Sequence, residues 1–398
     1  MAASPLIVWG PELSPFLLKL ESMLAFHGVP WRRLPRDGSR LENLRTAGSV
    51  SRAVRRRSAL RPPANDPLDE YPAVPFLVAA DGDVLYDSSA LAVWLDEHHP
   101  GTRAPLVPAE PAACFVACLI DEAFDEYGLY MVHHNRWKLA AADNDEPGRR
   151  LAREYSRLLP PGIETPFARW FARRQVRRLP YLFSVAPQGF AMTGVPAALT
   201  PPSRKGFPPT HELLERSWER YLCAIEEILA HRPFLLGQCF TIADASAYGQ
   251  LSMNLTDSLA ARRLQALAPR TARWLESIRD GRHASSEGTL AIDDALGPLL
   301  RTILETFVPL MQQNAAAVRE AQERRDRLFN EKAFDAGRNL YDGQILGHRF
   351  RSVAKSFQAR SWRDLCARWS ALAGDEKKQV EAVASARDLD ALFGSFSI

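Results

Sequence analysis

The stretch that decides the fold is residues 71–95, which read YPAVPFLVAADGDVLYDSSALAVWL. Two short runs of β-forming residues, 74–79 and 84–86, lie on either side of the dipeptide Asp81-Gly82. Because Asp-Gly favours the tight turns of two-residue hairpins, this arrangement predicts a pair of antiparallel strands.

A helix follows the hairpin at once. Asp87 or Ser88 can cap its first turn, since both side chains accept hydrogen bonds from backbone N–H groups. Leu91, Trp94 and Leu95 then recur at helical spacing.

Pro75 lies one residue into the first predicted strand. Proline has no backbone N–H, so it is tolerated in a strand only where the backbone beside it stays unpaired. The unpaired edge is a place where an extended peptide can bind.

These motifs resemble the glutathione-binding half of the glutathione transferases, whose N-terminal domain is thioredoxin-like. Val74-Pro75 matches the family's cis-proline dipeptide, and residues 87–91 (DSSAL) match its acidic-Ser-x-Ala-Ile helix start. The resemblance implies that Val74 pairs through its backbone with the cysteinyl part of glutathione. It also implies that Ser88 binds the γ-glutamyl carboxylate at a helix N-terminus, where the helix dipole favours an anion. Asp87 is shorter than the glutamate that the family prefers for the glutathione amine.

The segment before the hairpin predicts a β-α-β unit. Residues 6–9 form an apolar strand, a helix runs from Ser14 to Gly28, and residues 29–34 form a second strand. With the later hairpin and helix, the order becomes β-α-β-α-β-β-α. We therefore expect an α/β thioredoxin-like, glutathione-binding domain over residues 1–98.

Ser14 is the candidate catalytic residue. The family places the Tyr, Ser or Cys that meets the glutathione sulfur at this loop, and residues 14–16 (SPF) resemble the Cys-Pro-Phe of its omega-like members. Serine in place of cysteine indicates thiolate activation rather than disulfide exchange. The alternative is that Ser14 only caps the helix, with Pro15 at the first helical position.

Residues 32–61 contain ten arginines, with only Asp37 and Glu42 as acidic residues. One interpretation is a solvated basic helix and loop. The other, implied by the resemblance, is that one arginine binds the glycine carboxylate of glutathione.

After a Pro- and Gly-rich linker at 98–111, we find no convincing strand and expect helices throughout. Thr241 and Asp244 have the spacing of a capping box, and this box resembles that of the family's C-terminal domain. We expect an all-α domain over residues 110–285 and a helical extension over 286–398. The extension either caps the active-site cleft or enlarges the domain.

Residues 127–137 carry an aromatic stripe at helical spacing. In the family this helix lines the pocket for the electrophile, so the stripe is either that wall or part of the core. Its members are Tyr127, Tyr130, His134 and Trp137.

Composition excludes several other classes. The 50 basic and 47 acidic side chains give a net charge of +3, which gives no reason to expect nucleic acid as a partner. No apolar run reaches the roughly 18 residues of a membrane span. Five cysteines at no zinc spacing indicate free thiols in a reducing compartment, and we expect a cytoplasmic protein without metal. Motifs for phosphate-binding loops, zinc proteases and serine hydrolases are absent.

The resemblance implies a glutathione transferase that conjugates glutathione to a small hydrophobic electrophile in detoxification, as a homodimer. One alternative is a non-catalytic adaptor that keeps the scaffold for protein contacts. Another is a glutathione-dependent reductase or lyase, which would need a reactive cysteine near the site. None of the five cysteines lies in the N-terminal domain, which argues against thiol exchange.

Overall fold

The computed structural model describes residues 5–56, 74–100, 104–139, 141, 145–386 and 388–394. The N-terminal sheet has the strand order β2-β1-β3-β4, with β1 parallel to β2 and antiparallel to β3. The predicted order β-α-β-α-β-β-α is confirmed. Its elements are β1 (Leu6–Trp9), α1 (Pro15–His27), β2 (Trp31–Leu34), α2 (Arg40–Arg56), β3 (Phe76–Val78), β4 (Val84–Tyr86) and α3 (Ser88–His98).

The predicted hairpin is present between β3 and β4. Val78 pairs with Val84, and Gly82 adopts φ 92° in the connecting turn. Glycine suits this position because residues with a Cβ rarely adopt positive φ. The Asp81 carboxylate accepts a 3.0 Å hydrogen bond from the backbone N–H of Asp83 and so fixes the turn.

Most of the remaining described chain is helical, as expected. A π-helical segment, Ala123–Gly128, joins α4 to α5. None of the helices within the described ranges is both long and apolar enough to cross a membrane. The bounds are α4 (Pro111–Glu122), α5 (Leu129–Leu139), α6 (Asp145–Glu154), α7 (Glu164–Arg178), α8 (His211–Ile228), α9 (Ile242–Leu255), α10 (Ser258–Leu267), α11 (Pro269–Arg279), α12 (Gly297–Glu305), α13 (Phe307–Glu323), α14 (Asn330–Asp335), α15 (Ser356–Ala371), α16 (Gly374–Ala384) and α17 (Leu389–Phe393).

The expectation that no strand follows the linker is wrong. The extension contains an antiparallel hairpin of β5 (Leu340–Ile345) and β6 (His348–Val353). Leu346 and Gly347 form its two-residue turn with φ values of 49° and 80°. This is the turn geometry that fits the twist of a tight hairpin.

The capping box at the start of α9 is confirmed. Asp244 is fully buried, and its carboxylate accepts hydrogen bonds from the N–H of Thr241 at 3.0 Å and from the Thr241 hydroxyl at 2.9 Å. The second carboxylate oxygen accepts from the N–H of Leu235 at 2.7 Å. The box therefore fixes both the helix start and the loop before it.

The N-terminal domain packs on the helical part of the chain through α1 and α9. A Cβ at Gly249 of α9 would lie 2.5 Å from the carbonyl oxygen of Pro15, so only glycine permits this approach. One hydrophobic core continues from Leu20 in α1 to Trp362 in the extension. The packing fixes α1, whose N-terminus carries Ser14, against the helical domain.

Candidate active site

Ser14 lies at the N-cap position of α1, as expected, but its side chain makes no capping hydrogen bond. Its hydroxyl instead donates to the carbonyl oxygen of Val74 at 3.4 Å. The sequence therefore placed the residue correctly, whereas the capping role for its side chain is not observed. The hydroxyl connects the start of α1 to the dipeptide before β3.

The Val74–Pro75 peptide bond is cis, in agreement with the family pattern. The end of β1 approaches this dipeptide closely at Gly10, where an added Cβ would lie 3.1 Å from the Cβ of Val74 and 2.8 Å from Leu17. A side chain at Gly10 would push the dipeptide away from α1. Glycine thus holds Val74 beside Ser14.

Asp87 caps α3, and Ser88 is the first residue of that helix. One oxygen of the Asp87 carboxylate accepts from the N–H groups of Ser89 and Ala90, both at 3.0 Å. The backbone of Asp87 adopts φ 79°, a conformation that costs of order 1–3 kcal/mol in a residue with a Cβ. The strained residue turns the chain sharply from β4 into α3.

A cavity of about 990 Å³ brings these residues together. Its lining includes Ser14, Val74, Pro75, Asp87 and Ser88, the five residues predicted for catalysis and glutathione binding. They come from three places in the chain, the start of α1, the loop before β3 and the start of α3.

A strip of four carboxylates on α4 and the π-helical segment forms one wall of the cavity: Asp121, Glu122, Asp125 and Glu126. Burial and the neighbouring carboxylates raise the pKa of Glu122 well above its usual value. Burial likewise raises the pKa of Asp125 to about 8, although Lys19 opposes this. Glu122 and Asp125 therefore bind protons more tightly than exposed carboxylates do.

Lys19 of α1 contacts two carboxylates of this strip, and it is only 1% exposed. Its ammonium lies 2.6 Å from an oxygen of Asp121 and 2.7 Å from one of Asp125. It also donates to the hydroxyl of Ser89 at 2.9 Å. Burial alone would lower the pKa of Lys19, but the two carboxylates more than offset it and raise the pKa. This buried group, the Lys19 clamp, joins α1 and α3 to α4.

The extension supplies a further wall. Lys355 and Gln358, just before and within α15, border the cavity and meet Tyr130 of α5. The Lys355 ammonium and the Gln358 amide (2.7 Å) both donate to the Tyr130 phenol oxygen. Lys355 also lies over the rings of Tyr130 and Tyr181, at 4.4 and 4.6 Å from their centroids. The extension therefore both lines the cavity and enlarges the common core.

Tyr130 is the member of the aromatic stripe that lines this cavity. Tyr127 is buried and bonds to Ser217 at 2.8 Å, and His134 is buried against Ser184 at 2.7 Å. Trp137 is buried in a separate small cluster. The structure does not bring these three side chains to the cavity wall.

The described arginines of residues 32–56 do not line the cavity. Arg32 pairs with Glu42 at 2.8 Å, and Arg33 pairs with Glu21. Arg57 and Arg61 lie outside the described residues. The basic residues that border the cavity come instead from α7 and the extension: Arg174, Arg178, Lys355, Arg360 and Arg368.

Cysteine is present at the cavity after all. Cys118 of α4 is part of its lining, and Cys114 lies one helical turn before it. The absence of cysteine from the N-terminal domain therefore does not exclude cysteine from the cavity. In the part of the chain that the structure describes, no group of three or more His, Cys, Asp or Glu side chains is arranged to hold a metal ion.

A family model described as "Glutathione S-transferase, N-terminal domain" matches residues 12–103. This segment is a glutathione S-transferase N-terminal domain. No curated protein matches the sequence.

The transferase-like chain is also similar to solved structures, with low sequence identity. The β-etherase LigF of Sphingobium sp. strain SYK-6 is 17% identical, with 71% of this chain and 100% of LigF covered and a TM-score of 0.41. A glutathione S-transferase of Methylobacillus flagellatus with glutathione bound is 16% identical, with 69% and 98% covered and a TM-score of 0.36. Glutathione transferase F2 of Populus trichocarpa is 17% identical, with 69% and 94% covered and a TM-score of 0.37.

Sequence reasoning missed the acidic strip and its lysine in this transferase-like chain. A signal for both was present, because DEAFDE at 121–126 and Lys19 within LLKL interrupt otherwise apolar helices. Charged residues at buried helical positions are rare unless they are paired. The tail residues Lys355 and Gln358 carried no comparable signal.

Proposed function

We propose that the protein is a glutathione transferase that adds glutathione to a small hydrophobic electrophile. The observation that carries this proposal is the convergence of Ser14, Val74-Pro75 and Ser88 on one large cavity with a partly aromatic far wall. Residues 12–103, which hold these groups, match the family's N-terminal domain.

Glutathione would lie with its cysteinyl part along Val74 and its γ-glutamyl end at Ser88. The start of α3 favours the carboxylate because N–H groups and the helix dipole converge there. The acidic strip lies close enough to Asp87 for the charges of Asp87 and Glu122 to interact, and an ammonium group suits this surrounding. One oxygen of the Asp87 carboxylate caps α3, and we assign the amine to the other Asp87 oxygen together with the strip.

Ser14 would stabilise the glutathione thiolate. A free thiol has a pKa near 8.5, so only a few per cent is ionised at neutral pH without a donor. The Ser14 hydroxyl makes one long hydrogen bond to Val74, which a thiolate can replace at little cost. Holding the thiolate beside the electrophile supplies the remaining rate acceleration.

The electrophile would bind between the glutathione sulfur and Tyr130. Lysine ammonium and amide NH₂ groups only donate, so the Tyr130 oxygen accepts from Lys355 and Gln358. These two bonds hold the Tyr130 ring at the cavity, and we assign the ring to the surface on which the electrophile packs.

Binding to immobilised glutathione and titration calorimetry test the first half of this proposal. Ser88→Ala should weaken binding about 10- to 100-fold, because a hydrogen bond to a charged group contributes ~1.5–3 kcal/mol. The matched control is Ser285→Ala, an exposed serine, which should bind like the parent. A parent protein that does not bind glutathione would refute the proposal and favour the adaptor.

Turnover of an aryl halide tests the second half. Ser14→Ala should lower kcat/KM about 10- to 100-fold at neutral pH while glutathione affinity stays close to that of the parent. Equal turnover by the two proteins would remove Ser14 from the mechanism. The homodimer and the cytoplasmic location stay predictions, which sedimentation and fractionation can measure.

A further inference from the structure

Two cysteines and an arginine form a cluster where α15 packs on α4. Cys114 and Cys118 are one helical turn apart on α4, so that the Cys118 thiol can stabilise a charge on Cys114. Arg368 of α15 places a guanidinium nitrogen 3.5 Å from the sulfur of Cys114. Cys118 and Arg368 also line the cavity, so the cluster continues its outer wall.

The cluster favours one ionised sulfur, at Cys114. The hydrogen bond from Cys118 and the charge of Arg368 lower the pKa of Cys114 to about 6, against the opposing effect of burial. The same hydrogen bond, burial and the neighbouring sulfur raise the pKa of Cys118. Two sulfurs this close cannot both carry a negative charge, so Cys118 stays a thiol and donates to Cys114.

The other cysteines offer different surroundings. Cys239 and Cys366 are buried, and burial raises the pKa of both thiols, to about 12 for Cys366. Cys223 is exposed, whereas Cys114 is half-buried at the seam between the two helices. If exposure alone decided the order of reaction, Cys223 would react first. If stabilisation of the thiolate charge decides it, Cys114 reacts first.

We propose that Cys114 is a thiol–disulfide exchange site that accepts a glutathionyl group from glutathione disulfide. The sulfur of Cys114 attacks one sulfur of the disulfide, and a new S–S bond forms as the old one breaks. Cys114 is oxidised to the mixed disulfide, and the other half leaves as glutathione thiolate, which takes a proton from water. Arg368 can then face the carboxylates of the attached glutathionyl group.

The pH dependence of the exchange rate distinguishes this site from an ordinary cysteine. At pH 6 a thiol of pKa 8.5 is about 0.3% ionised, whereas half of the Cys114 sulfur is ionised. A thiolate of lower basicity is also a weaker nucleophile, here by roughly tenfold. Because the Cys114 thiolate is so much more abundant at pH 6, Cys114 should still react about tenfold faster than the ordinary thiol. At pH 8.5 the same reasoning makes it roughly fivefold slower than the ordinary thiol. The order of reactivity should therefore reverse between these pH values.

The experiment incubates the full chain with glutathione disulfide from pH 5 to 9 and follows modification by intact-mass and peptide mass spectrometry. A synthetic peptide of residues 110–117, which contains Cys114 without Arg368, is the reference thiol. We expect Cys114 to be modified before Cys223 at pH 6, with a rate profile whose midpoint is near pH 6. Modification of Cys223 first, or a Cys114 midpoint near 8.5, overturns the proposal.

Two variants separate the causes. Arg368→Gln should move the midpoint for Cys114 to higher pH, and an unmoved midpoint would overturn the role of Arg368. Cys114→Ser should abolish the fast phase, and a surviving fast phase would overturn the assignment of the site. Cys114→Ser should conjugate glutathione to an aryl halide like the parent, so a failure of the proposed glutathione transfer and a failure of this exchange are told apart.

Discussion

Replacement of Lys19 by methionine should destabilise the protein more than any exposed lysine replacement. Methionine has nearly the same length and fits the buried channel, but it removes the cation between Asp121 and Asp125. The two carboxylates and the hydroxyl of Ser89 then face one another without an ammonium donor. The Lys19 clamp joins α1 and α3 to α4, so this loss acts at the contact between the two domains.

The size of the effect follows from burial. Removing one partner of a buried ion pair costs ~3–5 kcal/mol, because the remaining charge stays desolvated. Asp125 has a pKa of about 8 even with Lys19 present, so at pH 7 it is largely neutral and leaves less uncompensated charge than an ionised carboxylate would. We therefore expect a loss near the lower end, about 3 kcal/mol. The loss should shrink as pH falls, because protonation then replaces the missing cation.

Guanidinium unfolding followed by circular dichroism at pH 8 and pH 5.5 measures these losses. The control is Lys378→Met, since Lys378 pairs with Asp375 at 3.3 Å on the surface with a side chain that is 77% exposed. Such a pair contributes ~0–1 kcal/mol. Asp125→Asn in the Lys19→Met background should recover part of the loss. If Lys19→Met and Lys378→Met cost the same, the clamp does not hold the domains together and the reasoning fails.

Three other predictions concern single side chains. Asp244→Ala should lower the unfolding free energy by ~3 kcal/mol or more, because two buried N–H groups and the Thr241 hydroxyl lose their acceptor, and thermal and guanidinium unfolding measure this. Tyr130→Phe should lower the unfolding free energy by ~1–3 kcal/mol, because Lys355 and Gln358 lose a buried acceptor; guanidinium unfolding measures this, and an unchanged free energy would contradict the contact. The pKa of Asp125 is higher in the folded chain than in the unfolded one, so the folded state binds more protons between pH 4 and 8 and the unfolding free energy should fall as pH rises through this range. Asp125→Asn should flatten the plot of unfolding free energy against pH. An unchanged slope contradicts the assignment.

The parts of the site that lie on local motifs could be predicted from the sequence. Ser14-Pro15 at a helix start, Val74-Pro75 before a strand and Asp87-Ser88 after a hairpin each combine turn or capping chemistry within a few residues. Because all three motifs resemble parts of one domain, the sequence also predicted that they lie at one site. The structure adds that Asp87, and not Ser88, caps α3, through one oxygen of its carboxylate.

The rest depends on packing between distant segments. Lys19 and Asp121 are 102 positions apart, and Lys355 and Tyr130 are 225 apart, so no local pattern records either contact. The stripe on α5 had the spacing of a pocket wall, but helical spacing alone does not say which neighbour each face meets. Tyr130 meets the extension, whereas Tyr127 meets α8.

The hairpin of the extension was missed for a different reason. Gly343 of β5 lies opposite Phe350 of β6, and a Cβ there would collide with the aromatic ring. A glycine inside a strand removes the alternation on which strand prediction depends. The Leu346-Gly347 turn is also less typical than Asn-Gly or Asp-Gly.

The position of α15 in the chain bears on protein synthesis. Arg368 leaves the ribosome about 270 residues after the end of α3, which at ~5–20 residues per second is a delay of roughly 15 to 50 s. During that interval the nascent chain already contains the N-terminal domain, but Arg368 and the other α15 residues that line the cavity have not yet been made. The cavity therefore gains its α15 wall only after this delay.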